Sequence, residues 1–526
     1  MDVVGFFRKI ISALEDPKVH LAYYASTFFF VIAIRNLLEA FSTKNTLRNN
    51  YFSYELMVNP NIPMFSQHGS YYLFYFTIAL LVTLFLFFFL RENPRKILRI
   101  VLSAFIVLPV VPVVDIIATS GEGATLEFIY PHNGPSELLY RYLTFFFMPS
   151  QYADLTMGHR VELGLIVLAI FIYVKLKTNN LIKAVFASLV VYTLIFFHLA
   201  TPAILDLLPL GDKKILHSFD FIVAVYLLYA TLLFAIFLWV SEPRILLSIF
   251  RGLSIPRLLH FESMFVLGLI LGGFNLFNTD LTTFFHLILL SFSIGAAWSF
   301  SVVINDVVDV RIDSVSNREK PLIAAIISQR EYLTAGYIVV ILAAIYSLAV
   351  NFFSFFMIMC FVGGYFVYSA PPLRLKRITY FSKLLISSNS LVLMMLGFAF
   401  AGKSLLDFPF IVTLFFLTFV TAAVNFIDLK DYLGDKKAGI VTLPVLLGLE
   451  RSKFVIGLFF ICAYIASTVV FAVLIGHFQV LLTASLVIFG IFHYHLIMKR
   501  DYREWRVFSA YYLSVAAAGL FLYTGL

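Results

Sequence analysis

An all-α, polytopic membrane protein is predicted from three observations. Hydrophobic residues make up 61% of the 526, and the mean hydropathy is +0.94. Charged residues make up only 13%, against about 25% in a soluble domain. Apolar runs of roughly 17 residues or more recur from end to end, each long enough to cross about 30 Å of hydrocarbon.

The elements follow in order. The opening stretch, MDVVGFFRKIISALEDPK, lacks a cleavable signal pattern and reads as an amphipathic lead-in on the membrane surface. Apolar spans are predicted at about 20–41, 71–90, 97–118, 161–177, 181–204 and 217–240. A second series follows at about 261–280, 283–304, 332–350, 353–370, 383–402, 408–427, 454–475, 478–498 and 507–525. This makes roughly fifteen helices.

The loops set the orientation. With the N-terminus inside, the inner loops include RENPRKILR, KLKTNNLIK, SEPRILLSIFRGLSIPR, RLKRITYFSK and MKRDYREWR. About 30 of the 38 Lys and Arg then fall on the cytoplasmic side, as the positive-inside bias requires. The net charge of +8 reflects that bias and gives no sign of nucleic-acid binding. Cys360 and Cys462 both lie in apolar runs, which excludes a disulfide framework or a thiolate metal site.

The chain changes character near residue 241, predicting an N-terminal unit of about six spans (1–240) and a C-terminal unit of nine (241–526). Outer loops are long before this point, and inner loops are long and charged after it. The linker SEPRILLSIFRGLSIPR is basic and amphipathic, suited to the inner surface. In the first unit, Arg35 and Glu39 are four apart and placed to pair. Asp115, Glu127, His132, Glu137, His159 and Glu162 gather toward the outer side without the tight spacing of a metal site. FFFMPSQY is placed to dip back into the membrane. Substrate hand-over, product flipping and anchoring of a partner protein all remain open for this unit.

The chemistry concentrates in two stretches. INDVVDVRIDSVSNREKPL (304–322) carries Asp306, Asp309 and Asp313, and NFIDLKDYLGDKKAG (425–439) carries Asp428, Asp431 and Asp435. In both, the second acid follows the first by three positions and the third follows by four more. On a helix this spacing sets three carboxylates along one face. Both triplets sit where a span exits on the inner side, so they are expected to face each other across one cavity. Carboxylates without Cys or His suit a hard cation, and Mg²⁺ fits best because it shares its shell with phosphate oxygens and water. Arg318, Lys320, Lys436 and Lys437 follow the acids, and YSAPPLRLKR adds Tyr368, Arg374, Lys376 and Arg377. Metal on some oxygens and charge-assisted hydrogen bonds on the others are what a diphosphate needs. His260 and Glu262 open the seventh span as interface residues or acceptor contacts.

NDVVDVRID, YSAPPLRLKR and DLKDYLGDKKAGIVTLP, in this order, resemble the UbiA superfamily of intramembrane prenyltransferases. The resemblance covers about residues 241–526 and implies that family's nine-helix bundle. It implies an isoprenyl diphosphate donor, a lipophilic acceptor and Mg²⁺ held by Asn305, Asp309 and Asp313 on one side and Asp431 and Asp435 on the other. Asp306 and Asp428 would complete the two clusters. Lys320, Tyr368, Arg374, Lys376 and Lys436 become candidates to hold the diphosphate. The chain departs from the pattern at Lys320-Pro321, where many members read Arg-Pro, and Lys keeps the charge without the planar fork. The competing reading, a transporter or flippase of prenyl-linked lipids, is disfavoured by acids at span ends, because transporter ion sites lie near the midplane.

Overall fold

The computed structural model describes residues 3–40, 64–121, 123, 135–147, 156–207, 213–216, 218–275, 278–317 and 319–525. Glu127, His132, Arg318 and the latter part of FFFMPSQY lie outside these residues. The chain forms two compact units, Met1–Pro243 with Leu281–Phe285, and Arg244–Asp280 with His286–Leu526. Among the described residues, 13 helices are long and apolar enough to cross a membrane, or 14 if one bent pair is a single span.

The first unit opens with the short helix Val3–Leu14, followed by Leu21–Ala40. Arg35 and Glu39 are ion-paired on the latter, both almost fully buried. The stretch expected as one helix at 97–118 is Pro94–Ala104, a 3₁₀ turn and Val110–Ala118. Pro109 and Pro112 fall at the join, and neither can donate to the helical ladder. The predicted 161–177 span is the core of Met157–Thr178, a helix that is not among the 13. It starts earlier because Thr156 caps it, its hydroxyl accepting from the His159 N–H at 3.2 Å.

Among the described residues, the second unit carries nine long helical segments. They are Ile255–Leu271, Leu281–Val308, Gln329–Val350, Phe352–Ser369, Thr379–Phe400, the broken span 410–429, Leu449–Ile475, Val480–Met498 and Glu504–Gly525. The first is shorter than the predicted 261–280. It ends at Gly272, and Gly273 takes a left-handed φ of 75° that stops the helix. A bend of 71° separates it from the preceding helix Pro243–Gly252. Gln329–Val350 begins with a full capping box, Ser328 and Glu331 each satisfying the other's backbone.

The packing that shapes the unit's interior is close helix crossing. Ile255–Leu271 lies against Thr379–Phe400, where Gly268 and Gly397 let the backbones touch. A Cβ at Gly268 would collide with the Met394 carbonyl, and one at Gly397 with the Phe265 carbonyl. With lipid as apolar as the side chains, such van der Waals contact holds the helices together. Phe261, Phe265, Ile294, Trp298, Ile358 and Phe361 fill the adjoining core.

Candidate functional site

Both acid triplets straddle a break in the helix, which corrects the expectation of three carboxylates on one helical face. The span Leu281–Val308 stops at Asp309 (φ −99°, ψ 11°), and the seven-residue helix Val310–Ser316 follows. The second span passes through a π-helical turn at Phe416–Val420 and a 3₁₀ turn at Val424–Leu429. It stops before Asp431 (φ −93°, ψ 4°), and the seven-residue helix Tyr432–Ala438 follows. In each triplet the first acid stays on the span, the second sits at the break, and the third lies in the first turn of the short helix. The third acid's N–H donates to the second's carbonyl at 2.9 Å in both cases. Asn317 joins the two halves, its amide donating to Asp313 Oδ1 at 3.0 Å and to Asp431 Oδ1 at 3.4 Å.

Cations hold the first triplet. Lys320 Nζ donates to Asp306 Oδ1 at 2.7 Å and to Asp313 Oδ2 at 2.9 Å. Arg374 donates to Asp309 Oδ1 at 2.6 Å, and Lys376 donates to the other oxygen of the same carboxylate. Lys376 also reaches Asn305 Oδ1 at 3.1 Å, which Ser369 approaches at 3.2 Å. Arg374 takes a φ of 43°, an uncommon backbone state for a side chain of its size, at the head of the turn Leu375–Arg377. Tyr332 donates to Asp306 Oδ2 at 3.2 Å.

The second triplet is held at one corner only. Lys383 donates to Asp428 Oδ1 at 2.6 Å, and among the described residues the other Asp428 oxygen is buried without a hydrogen-bond partner. Asp431 and Asp435 have no ion pair among the described residues. Burial, with Asp428 and Asp431 nearby, pushes the Asp435 carboxyl up to about 7. Burial works against the Lys320 charge, but Asp306 and Asp313 outweigh it and its pKa is raised. For Lys376, burial outweighs the pull of Asp309 and its pKa is lowered.

These groups line one end of a cavity of about 450 Å³. Asn305, Asp306, Asp309, Asp313, Lys320, Tyr368, Lys376, Asp428, Asp431 and Asp435 all reach it. Much of the remaining lining is apolar or aromatic, with Phe261, Trp298, Tyr365, Phe416, Phe460 and Phe508 among it. Arg374 joins indirectly, through Asp309. Lys436 does not join, contrary to expectation. It is exposed, and its ammonium lies 5.8 Å from the ring centre of Tyr432, four residues back on the same short helix.

The oxygen-only donor set fits a hard cation. Among the described residues no three His, Cys, Asp or Glu close into a ready cage. The carboxylates instead approach from two sides, which suits an ion that completes its shell with a ligand's oxygens and water.

The sequence profile described as the UbiA prenyltransferase family matches residues 263–521. The C-terminal unit belongs to that family. Among the relatives of this UbiA unit is a protein named "Probable homogentisate phytyltransferase 2, chloroplastic", from Oryza sativa subsp. japonica. It is 31% identical over 182 residues, covering 32% of this chain and 47% of the rice protein. The chain thus spans about half the length of that relative. A digeranylgeranylglyceryl phosphate synthase of Methanococcus maripaludis is 26% identical over 248 residues, covering 46% of this chain and 83% of the synthase. Among solved structures, a UbiA homologue from Archaeoglobus fulgidus bound to GPP and Mg²⁺ is 19% identical. It covers 53% of this chain and 99% of its own, with a TM-score of 0.43.

The UbiA unit also contains site residues that sequence reasoning missed. Asn317 continues the four-residue stripe of Asn305, Asp309 and Asp313, a signal present but unread. Lys383 stood unremarked at the end of a basic loop, and nothing local marks it as the partner of Asp428, 45 positions away. Arg257 and Lys430 line the cavity and share Glu504, at 3.0 and 2.7 Å. His260, which the sequence did single out as an interface residue or acceptor contact, lies 2.8 Å from the Ser390 hydroxyl and 3.0 Å from that of Tyr511, and lines the cavity.

Proposed function

We propose that the chain is a Mg²⁺-dependent intramembrane prenyltransferase. It moves an isoprenyl chain from a prenyl diphosphate to a lipophilic acceptor at the cytoplasmic face. One observation carries this reading: two acid triplets of the same local construction line a cavity that much apolar and aromatic surface also lines. The triplets suit a metal-bound diphosphate, and the apolar surface suits a hydrocarbon tail. Membership in the UbiA family and the names of both relatives support prenyl transfer, and the Lys and Arg bias of the loops supports the cytoplasmic side.

Asn305, Asp309, Asp313, Asp431 and Asp435 would hold the ion. When bound, Mg²⁺ supplies neutralising charge to the departing diphosphate. Lys320 and Lys376 line the cavity and are placed to donate to the diphosphate oxygens that the metal leaves free, while Arg374 holds Asp309 beside them. Lys383 fixes Asp428, and Tyr332 with Lys320 fixes Asp306, so these two acids orient the breaks. The bond between the allylic carbon and the diphosphate oxygen breaks, and the carbon becomes cation-like. The aromatic faces of Tyr365, Tyr368, Phe261 and Trp298 are placed to stabilise it. The acceptor's nucleophilic atom then bonds to that carbon and a proton is released.

The test is a donor–acceptor screen with purified protein. Labelled prenyl diphosphates of several lengths are offered, with and without Mg²⁺, against a membrane lipid extract. A new labelled lipid that requires Mg²⁺ supports the reading, and its mass identifies the acceptor. Movement of labelled lipid across vesicles without consumption of the diphosphate would replace it with a transporter.

A further inference from the structure

We propose that Tyr511, His260 and Ser390 form a proton relay that takes up the proton given off by the acceptor during prenyl transfer. The inference rests on the prenyl-transfer reading above and supplies a destination for the released proton.

Three helices bring the groups together. His260 stands on Ile255–Leu271, Ser390 on Thr379–Phe400 and Tyr511 on Glu504–Gly525. His260 Nε2 lies 2.8 Å from Ser390 Oγ, and Nδ1 lies 3.0 Å from the Tyr511 hydroxyl. Ser390 is buried, and its hydroxyl donates to the Ile386 carbonyl at 3.1 Å. A hydroxyl has one proton, so the Ser390 oxygen is left to accept, and Nε2 carries the imidazole proton that it accepts. Nδ1 is then the basic nitrogen, and the Tyr511 O–H donates to it. Among the described residues, His260 is the hydrogen-bond partner of the Tyr511 hydroxyl, whose oxygen keeps a lone pair for an incoming proton.

The relay sits beside the reacting carbon. His260 and Tyr511 line the same cavity as the acid triplets, and the described lining residues include one histidine, His260. Its ring centre lies 5.2 Å from that of Phe261, which lies 5.8 Å from that of Tyr365. These are two of the rings placed against the cation-like carbon. Ser390 follows Lys383, the partner of Asp428, by roughly two turns of one helix, or about 10 Å. The relay therefore lies beyond the acids, toward the apolar lining, where an acceptor meets the allylic end of the donor. Imidazole is the side chain whose ordinary titration near neutrality suits it to take up such a proton.

The step balances. An electron pair on the acceptor's reacting atom forms the bond to the allylic carbon. The carbon–oxygen bond to the diphosphate breaks, and its electron pair leaves with the diphosphate. The acceptor's proton passes to the Tyr511 oxygen while the Tyr511 proton passes to His260 Nδ1. Tyr511 is regenerated and His260 becomes an imidazolium. Ser390 holds Nε2–H and so keeps Nδ1 turned to Tyr511.

The full chain in detergent is tested with labelled geranylgeranyl diphosphate and a membrane lipid extract. Two quantities are read: Mg²⁺-dependent binding of the donor, and the maximal rate of labelled-lipid formation at saturating extract. Tyr511→Phe and His260→Gln should each lower that rate about 10²–10⁴-fold, the scale of general acid–base catalysis. Donor binding, which also reports folding, should stay at the parent level, as should the extract concentration that gives half the maximal rate. Because the two residues act in series, the double variant should be no slower than the slower single one. Ser390→Ala should lower the rate less, and Ser390→Thr should restore it. Parent-like transfer in Tyr511→Phe, which removes only the hydroxyl, would overturn the relay. Variants that need more extract but reach the parent's maximal rate would overturn it too, since the groups would then only bind the acceptor. A parent that neither binds the donor nor forms labelled lipid would remove the prenyl-transfer reading itself, and the relay with it.

Discussion

The two acid triplets share one backbone plan and differ in how their charge is held. Among the described residues, Asp306, Asp309 and Asp313 all accept from side-chain cations, while of the second triplet only Asp428 does. The same local geometry therefore serves one half that is closed by Lys and Arg and one half that is left open by Asp431 and Asp435. The open half is where, among the described residues, an incoming cation displaces no Lys or Arg. The closed half supplies the donors that a diphosphate can recruit. Spacing along the chain sets the shape of each half, and distant residues set its charge.

The largest expected effects come from removing a carboxylate from either half. Asp309→Ala and Asp431→Ala should each lower Mg²⁺-dependent diphosphate release by at least about a thousandfold, the scale of losing a main electrostatic stabiliser. Release is measured with labelled donor, alongside a melting curve to confirm folding. Retention of activity in either variant would mean that the two halves do not act together.

Next in size is Lys383→Met. Lys383 is 3% exposed on its side chain and is paired to Asp428. Its loss leaves a buried carboxylate uncompensated, at a cost of about 3–5 kcal/mol. The measurement is the thermal midpoint in detergent, and Asp428→Asn in the same chain should recover most of the loss. The four-residue stripe was legible in the sequence, but this pair was not. Helical periodicity orders neighbours on one element and says nothing about which later helix brings a cation alongside.

A smaller effect separates the halves by pH. The Asp435 carboxyl titrates near 7 when folded, against its ordinary 3.8. A carboxyl raised in this way disfavours the folded state once it ionises. Stability attributable to it therefore falls as pH rises from about 4 through about 7 and then levels off. Asp435→Asn should lack this loss and melt higher than the parent above about pH 7, with no such gain near pH 4. It should also lose metal-dependent activity. A parent whose melting point does not decline relative to the variant over that window would remove the strain assigned to Asp435.

The smallest effect is expected for Asn317→Ala. Its two hydrogen bonds to Asp313 and Asp431 together contribute on the order of 1–3 kcal/mol. The variant should fold and turn over, but with weaker binding of Mn²⁺, measured by its electron paramagnetic signal in place of Mg²⁺. Unchanged ion binding would show that the halves are aligned by their helices alone.

The sequence by itself determined that this chain is a helical membrane protein. The recurrence of apolar runs needs no tertiary knowledge, because the bilayer demands the same length of every crossing. It also placed the acids, the basic loop and the family resemblance, since all three are local in the chain. Helix breaks were only partly legible. Gly273 ends a span through its own backbone freedom, yet nothing in DVVDV announces that the helix stops at Asp309. Tertiary structure decided which charges meet: Lys383 with Asp428, and Arg257 with Glu504. It also turned Lys436 away, although Lys436 directly follows the third acid of its triplet. The physical reason is common to all of these. A charge inside a membrane protein is held by whatever the packed helices bring within about 3 Å of it, and that neighbour is set by helix crossings rather than by order along the chain.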